Sequence, residues 1–190
     1  MVRLVEMLMP TEGKCWRHVV LSTLYSWLPG DPRGFRTVDH KIHSSGDYKN
    51  PPPEGEHAGL HRYSKEISGD AVVIPREQRE TIGTVIREEL ARKSCTLLVI
   101  SASAKHCHLQ VEFPDDLKVI RRIMGEFKRK ASVAIRKQLP GRIWAHDGKY
   151  ELIDTQEYQA NVYNYIWTKQ ADAWIWSYKD GIKTTWIDEE

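Results

Sequence analysis

His106-Cys107-His108 is the stretch of this 190-residue sequence best suited to chemistry. It opens an alternating run, His106 to Phe113 (HCHLQVEF), that reads as a β-strand. Strand side chains alternate between faces. His106, His108, Gln110 and Glu112 therefore share one side, and Cys107, Leu109, Val111 and Phe113 the other. Two imidazoles on one face can ligate a single metal ion. Cys107 points away, so a zinc site built from all three residues is geometrically poor. Two histidines on a solvated sheet face give the same pattern, and the motif alone leaves both readings open. His40, His43, His57 and His61 are spaced irregularly in a loop and make a poor second metal site.

The second chemical signal is charge. The chain has a formal net charge of +2, but Leu117 to Arg142 holds nine basic residues against the single acid Glu126. That segment carries +8, so the remainder sums to −6. A basic stripe on one element is the footprint of a phosphate-backbone partner. It is equally the pattern of a solvated helix face.

The elements that must position these residues follow from periodicity. His18 to Trp27 (HVVLSTLYSW) reads as a strand ended by Leu28-Pro29-Gly30-Asp31-Pro32. From there to about Asp70 no period stands out, and this long loop is expected to hold no core. Pro75 suits a helix start, and Ile82, Val85, Ile86 and Leu90 predict a helix over Arg76 to Lys93. Thr96 to Ser101 reads as a buried strand preceding the His106 strand. Leu117, Ile120, Met124, Phe127, Ala131 and Ile135 mark the next helix, stopped by Pro140-Gly141. Arg142 to Ile153 reads as a hairpin turning at Asp147-Gly148. Thr155 is placed to cap a last helix running to about Lys169. This order of strands and helices gives an α+β protein, an antiparallel sheet with helices on one face and the other face open to a ligand.

Composition sets the outer bounds. Hydrophobic residues make up 41% and charged residues 28%, ordinary for a globular domain. No apolar run approaches the roughly 18 residues of a membrane helix, and the first nine residues do not read as a signal peptide. Three scattered cysteines, Cys15, Cys95 and Cys107, suggest neither a disulfide framework nor a zinc pattern, so a reducing cytoplasm is expected.

Taken together, four stretches resemble the HUH single-tyrosine transposases, and within them the REP-associated tyrosine transposases and their domesticated relatives. They are YSWLPGDPRG (Tyr25 to Gly34), KHCHLQV (Lys105 to Val111), RIWAHDGKYELID (Arg142 to Asp154) and YNYIWTKQ (Tyr163 to Gln170). The likeness spans about His18 to Gln170. It implies a ferredoxin-like (RRM-like) sheet of the HUH endonuclease type over residues 1–170. The 28–70 loop is then an insertion after the first strand, and 171–190 a Trp-rich tail. It implies that Tyr165 is the nucleophile, and that His106, His108 and Gln170 hold Mg²⁺ or Mn²⁺. The resemblance implies cleavage of single-stranded or hairpin DNA through a 5′-phosphotyrosine, by a cytoplasmic, nucleoid-associated monomer or homodimer without a membrane partner. Arg33, Arg121, Arg122, Lys128, Arg129 and Lys130 then become candidates for phosphate contacts. The loop residues Arg36, His40 and Lys41 are further candidates, and Trp27 and Trp144 either stack on bases or are buried.

Two departures accompany the likeness. Gln170 follows Tyr165 by five residues, about 140° round an ideal helix, so both can face one metal only if the helix ends or bulges between them. Tyr163 has the better spacing to Gln170, and Tyr158 shares a face with Tyr165. The competing readings are a domesticated DNA or RNA hairpin-binding protein without cleavage, a ferredoxin-like RNA-binding module, and a small-molecule metallohydrolase.

Overall fold

Alternation on β1 (Lys14–Ser22) and β3 (His106–Pro114) pairs the two strands antiparallel, with Val20 opposite His108 and His18 opposite Gln110. These strands are interior neighbours of the sheet in a computed structural model that describes residues 8–35, 43–46, 50 and 52–187. The remaining elements are α1 (Ala58–Ser68), α2 (Arg79–Arg92), β2 (Thr96–Ser103), α3 (Leu117–Ala134), β4 (Lys149–Ile153), α4 (Gln156–Thr168), β5 (Ala173–Ser177) and β6 (Gly181–Thr184). All six strands form one sheet in the order β4-β1-β3-β2-β5-β6, every pairing antiparallel. The fold is α+β with a ferredoxin-like antiparallel sheet. Residues 1–22 and 73–190 make up one compact unit and 23–72 a second.

The apolar face of β3 is sealed. Cys107, Leu109, Val111 and Phe113 are fully buried, as are Ile82, Ile86 and Leu90 of α2 and Ile120, Met124, Phe127 and Ala131 of α3. Gly83 lets α2 approach closely, because a Cβ there would overlap the buried Trp174 ring of β5. Lys130 of α3 forms an ion pair with the buried Glu89 of α2. Two of the helices, α3 and α4, are started by side-chain caps. Asp116 accepts from the main-chain nitrogens of Lys118 and Val119 at the head of α3, and the Thr155 hydroxyl accepts from Tyr158 N at the head of α4. Pro75 opens a short 3₁₀ turn, Arg76–Gln78, that runs into α2.

Several expectations are corrected. The first strand starts at Lys14 and ends at Ser22, so Thr23 to Trp27 lie outside it. The 28–70 segment contains a helix, α1, closed by Gly69 at φ 85°. In that unit Gly30 sits at φ +82°, where a Cβ would collide with the His61 main chain. Arg142 to Asp154 is not a hairpin: β4 pairs with β1 and not with Arg142–His146. The segment read as a tail supplies β5 and β6.

Lys128 explains the missing hairpin. Its buried ammonium donates to the carbonyls of Ala145, His146 and Asp147 at 2.7, 3.3 and 3.2 Å. The Trp144 indole N–H returns a bond to Lys128 O at 3.0 Å. Two of the run's carbonyls, those of Ala145 and His146, thus find a side-chain donor, while Ala145 N donates to Ser22 O at 3.0 Å at the end of β1. Replacing Lys128 by methionine orphans three acceptors and is expected to cost about 2 kcal/mol in chemical denaturation. A loss under about 0.5 kcal/mol, typical of a surface substitution, would show that the clamp contributes little.

Candidate functional site

The second sheet face gathers the polar residues. In register with His108 and Gln110 lie Val20 and His18 of β1, and Ser101 and Val99 of β2. α4 packs on this face through Val162, Tyr163 and Ile166, against Trp16, Val99, Ile153, Ala173 and Ile175. Gln110 Nε2 donates to Gln159 O of α4 at 3.1 Å. The helix therefore brings its own residues to the histidine end of β3.

Tyr165 and the imidazoles meet there. The Tyr165 ring lies 5.3 Å from the His108 ring, centroid to centroid, and edge-on to it. The His106 and His108 rings are 4.9 Å apart and nearly perpendicular. Gln170 Oε1 lies 3.4 Å from His106 Nε2. The apparent conflict of helical phase between Tyr165 and Gln170 resolves simply: α4 ends at Thr168, so Gln170 lies beyond its last turn. Gln170 is 6% exposed, and Tyr165 is 44% exposed. Tyr163, the tyrosine with better sequence spacing, is a core residue at 2% exposure. Its hydroxyl bonds Ser177 Oγ at 2.7 Å and Asp180 Oδ2 at 3.1 Å. Tyr158 packs at the margin of the same cluster.

Sequence reasoning missed His18. Its Nε2 lies 3.0 Å from His108 Nδ1, and its ring stacks on that of His108. The signal was present: on the β1 face that holds Trp16 and Val20, a histidine is the polar outlier. The predicted strand began at His18 itself, which hid its register against β3.

Burial shapes the electrostatics. His108 is 7% exposed, and desolvation pushes its pKa down to about 3, with the neighbouring His106 and His18 adding to the effect. Burial likewise lowers His18. His108 is thus neutral throughout the physiological range, the form a metal ligand needs. The sign for stability follows. An unfolded histidine binds a proton below about pH 6.5, whereas the buried one does not, so protonation favours the unfolded chain. This contribution is complete above that pH and is lost as pH falls toward the folded value. Between pH 6.5 and 5, above the range where most carboxylates titrate, unfolding free energy is expected to drop by about 1–2 kcal/mol. Urea midpoints measure it, and the drop should shrink in His108→Gln.

The donor set suits a divalent ion. Two imidazoles and a carboxamide oxygen lie close together, and the buried Ser101 hydroxyl opposite His108 has no protein partner. Among the described residues no three His, Cys, Asp or Glu side chains converge on one ion. A third protein side chain beside the histidine pair would therefore have to be neutral, as Gln170 is. His106, His108 and Gln170 can hold such an ion.

The basic residues are dispersed. Arg121, Arg122, Lys128, Arg129 and Lys130 sit on α3, in the helical layer across the sheet from the imidazoles. Lys128 is committed to carbonyls, Lys130 pairs with Glu89, and Arg121 pairs with Asp147 at 3.4 Å. Arg122 and Arg129 are exposed. In the second unit Arg33 pairs with Asp31 and stacks 4.3 Å from the exposed Trp27 ring, while Trp144 of the first unit is buried. Arg36, His40 and Lys41 lie outside the described residues. No helix among the described residues is long and apolar enough to cross a membrane.

A family model described as "Transposase IS200 like" matches residues 70–170, just over half of the chain. The chain belongs to this family, and through it to the HUH single-tyrosine superfamily. Membership assigns a transposase-type role and DNA as the macromolecule handled. No curated protein matches the chain.

Proposed function

We propose that this protein cleaves single-stranded or hairpin DNA and rejoins it by strand transfer, with Tyr165 as nucleophile. The reading that carries it is the convergence of the Tyr165 ring, the two imidazoles and Gln170 at one end of β3. His106, His108 and Gln170 would hold Mg²⁺ or Mn²⁺. An ion bound there would supply Lewis acidity to the scissile phosphate. The exposed Tyr165 hydroxyl gives up its proton to solvent and its oxygen attacks phosphorus, forming an Oη–P bond. The bond from phosphorus to the 3′ oxygen breaks, and that oxygen leaves as a free 3′ hydroxyl once protonated. A phosphotyrosine remains on the 5′ side. The ester retains the energy of the broken bond, so a second 3′ hydroxyl can reverse the step and complete transfer.

Arg122 and Arg129 are exposed cations of α3 available to a DNA backbone, and Arg33 beside Trp27 offers a further phosphate contact. Such contacts set affinity and salt dependence, not sequence. Within the superfamily, the four sequence stretches favour the REP-associated branch, whose substrates are hairpins. The site of action is then the cytoplasm, at the nucleoid.

The test is direct. A labelled single-stranded hairpin incubated with the protein and Mn²⁺ should give an adduct that survives denaturing electrophoresis, and a chelator should abolish it. Binding without an adduct would instead identify a hairpin-binding protein that has lost cleavage.

A further inference from the structure

His18 belongs to neither the His-x-His strand nor the tyrosine helix, yet its ring meets both. It stacks on His108 with centroids 5.3 Å apart and planes inclined by 23°, and it lies edge-on to Tyr165 at 6.3 Å. The decisive contact is His18 Nε2 to His108 Nδ1 at 3.0 Å. A hydrogen bond between two neutral imidazoles holds one proton, and its position decides what His108 can do. If His108 donates from Nδ1, its Nε2 carries a lone pair and can ligate a metal. If His18 donates, the proton of His108 moves to Nε2 and that nitrogen is blocked.

The surroundings favour the first arrangement. Glu151 of β4 lies directly opposite His18 in register, and its negative charge acts on the His18 ring. A nearby negative charge stabilises the His18 proton, and with Nε2 turned to His108 that proton sits on Nδ1, leaving Nε2 as the acceptor. Lys149, paired with Glu151 at 2.9 Å, tempers this pull without reversing its direction. His18 does not join His106 and His108 in a three-ligand cluster, so its role is exerted through His108.

We propose that His18 is a positioning residue whose Nε2 accepts the Nδ1–H of His108, fixing the tautomer that presents His108 Nε2 to the divalent ion. This rests on the reading of His106, His108 and Gln170 as the metal site. Partners that orient a ligating histidine through its second nitrogen change metal affinity by about 10- to 100-fold when removed.

The experiment uses the full chain. Long-range ¹H–¹⁵N correlation spectra of the metal-free protein should show His108 as the Nδ1–H tautomer. His18→Phe keeps a stacked ring but removes the acceptor. It should convert His108 largely to the Nε2–H form and weaken Mn²⁺ binding, read by calorimetry, by about 10- to 100-fold. His18→Gln, whose amide oxygen can reach the position of Nε2, should restore both readouts, which a merely space-filling role would not predict. An Nε2–H tautomer in the unaltered protein overturns the proposal, as does undiminished Mn²⁺ affinity in a folded His18→Phe variant. An unaltered protein showing the Nδ1–H tautomer but no Mn²⁺ binding overturns the metal reading, and with it the purpose assigned to His18.

Discussion

Tyr165→Phe is expected to abolish the covalent protein–DNA adduct and to leave the fold in place. The substitution removes one oxygen from a side chain that is nearly half exposed, so little packing is lost. Chemically the loss is complete, because phenylalanine has no atom that can attack phosphorus. The rate of adduct formation should therefore fall by at least about 10³-fold, more than 4 kcal/mol of barrier. Tyr163→Phe is the informative contrast. That phenol is buried on Ser177 and Asp180, so its loss should cost about 1–2 kcal/mol of stability while the adduct still forms. Denaturing electrophoresis with a labelled hairpin and Mn²⁺ reads both variants. An adduct that persists in Tyr165→Phe and vanishes in Tyr163→Phe would move the nucleophile and overturn the assignment.

Gly83→Ala should be the most damaging of the smallest substitutions. Alanine is normally the better helix former, and at an exposed helical site this change stabilises by up to about 1 kcal/mol. Here the new methyl group would occupy the space of the Trp174 ring, which is 1% exposed and hemmed in by the sheet. Neither partner can yield cheaply, since the indole is rigid and α2 is fixed by its own buried stripe. Overpacking of this kind costs about 1–3 kcal/mol, and a valine at the same position should cost more. Thermal unfolding followed by near-ultraviolet circular dichroism would report both the lost stability and a changed Trp174 environment. Gly83→Ala at or above the unaltered stability would mean that the helix and the ring are not in contact.

Long periodic segments were legible in the sequence because one rule governs each of them. The alternation of HCHLQVEF defined a face for His106 and His108, and the apolar stripe from Leu117 to Ala131 defined α3. Legibility ended where a side chain from elsewhere took over the backbone. Arg142 to His146 has strand-like composition and a good turn after it, but the Lys128 ammonium satisfies its carbonyls. Trp174-Ile175-Trp176 carried a strand signal too short to stand alone, and β2 supplies the partner that makes it a strand. α1 follows a proline-rich stretch and its helically spaced Leu60, Tyr63 and Ile67 make a short stripe, of which Tyr63 and Ile67 stay exposed, so the signal was weak. For the candidate site, the family likeness singled out Tyr165 and Gln170, but their relation depended on where α4 stops. His18 required the pairing of β1 with β3, which no local pattern states.

The placement of α4 has one more consequence. It leaves the sheet from β4, at one edge, and re-enters it as β5, on the other side of β1, β3 and β2. The helix is a strut moored at both ends, and it must span the three central strands to connect its moorings. For a second molecule to lend its phenol in exchange, the donor would have to unzip its two C-terminal strands from their own sheet. Tyr165 accordingly lies beside imidazoles of its own chain, its ring 5.3 Å from that of His108.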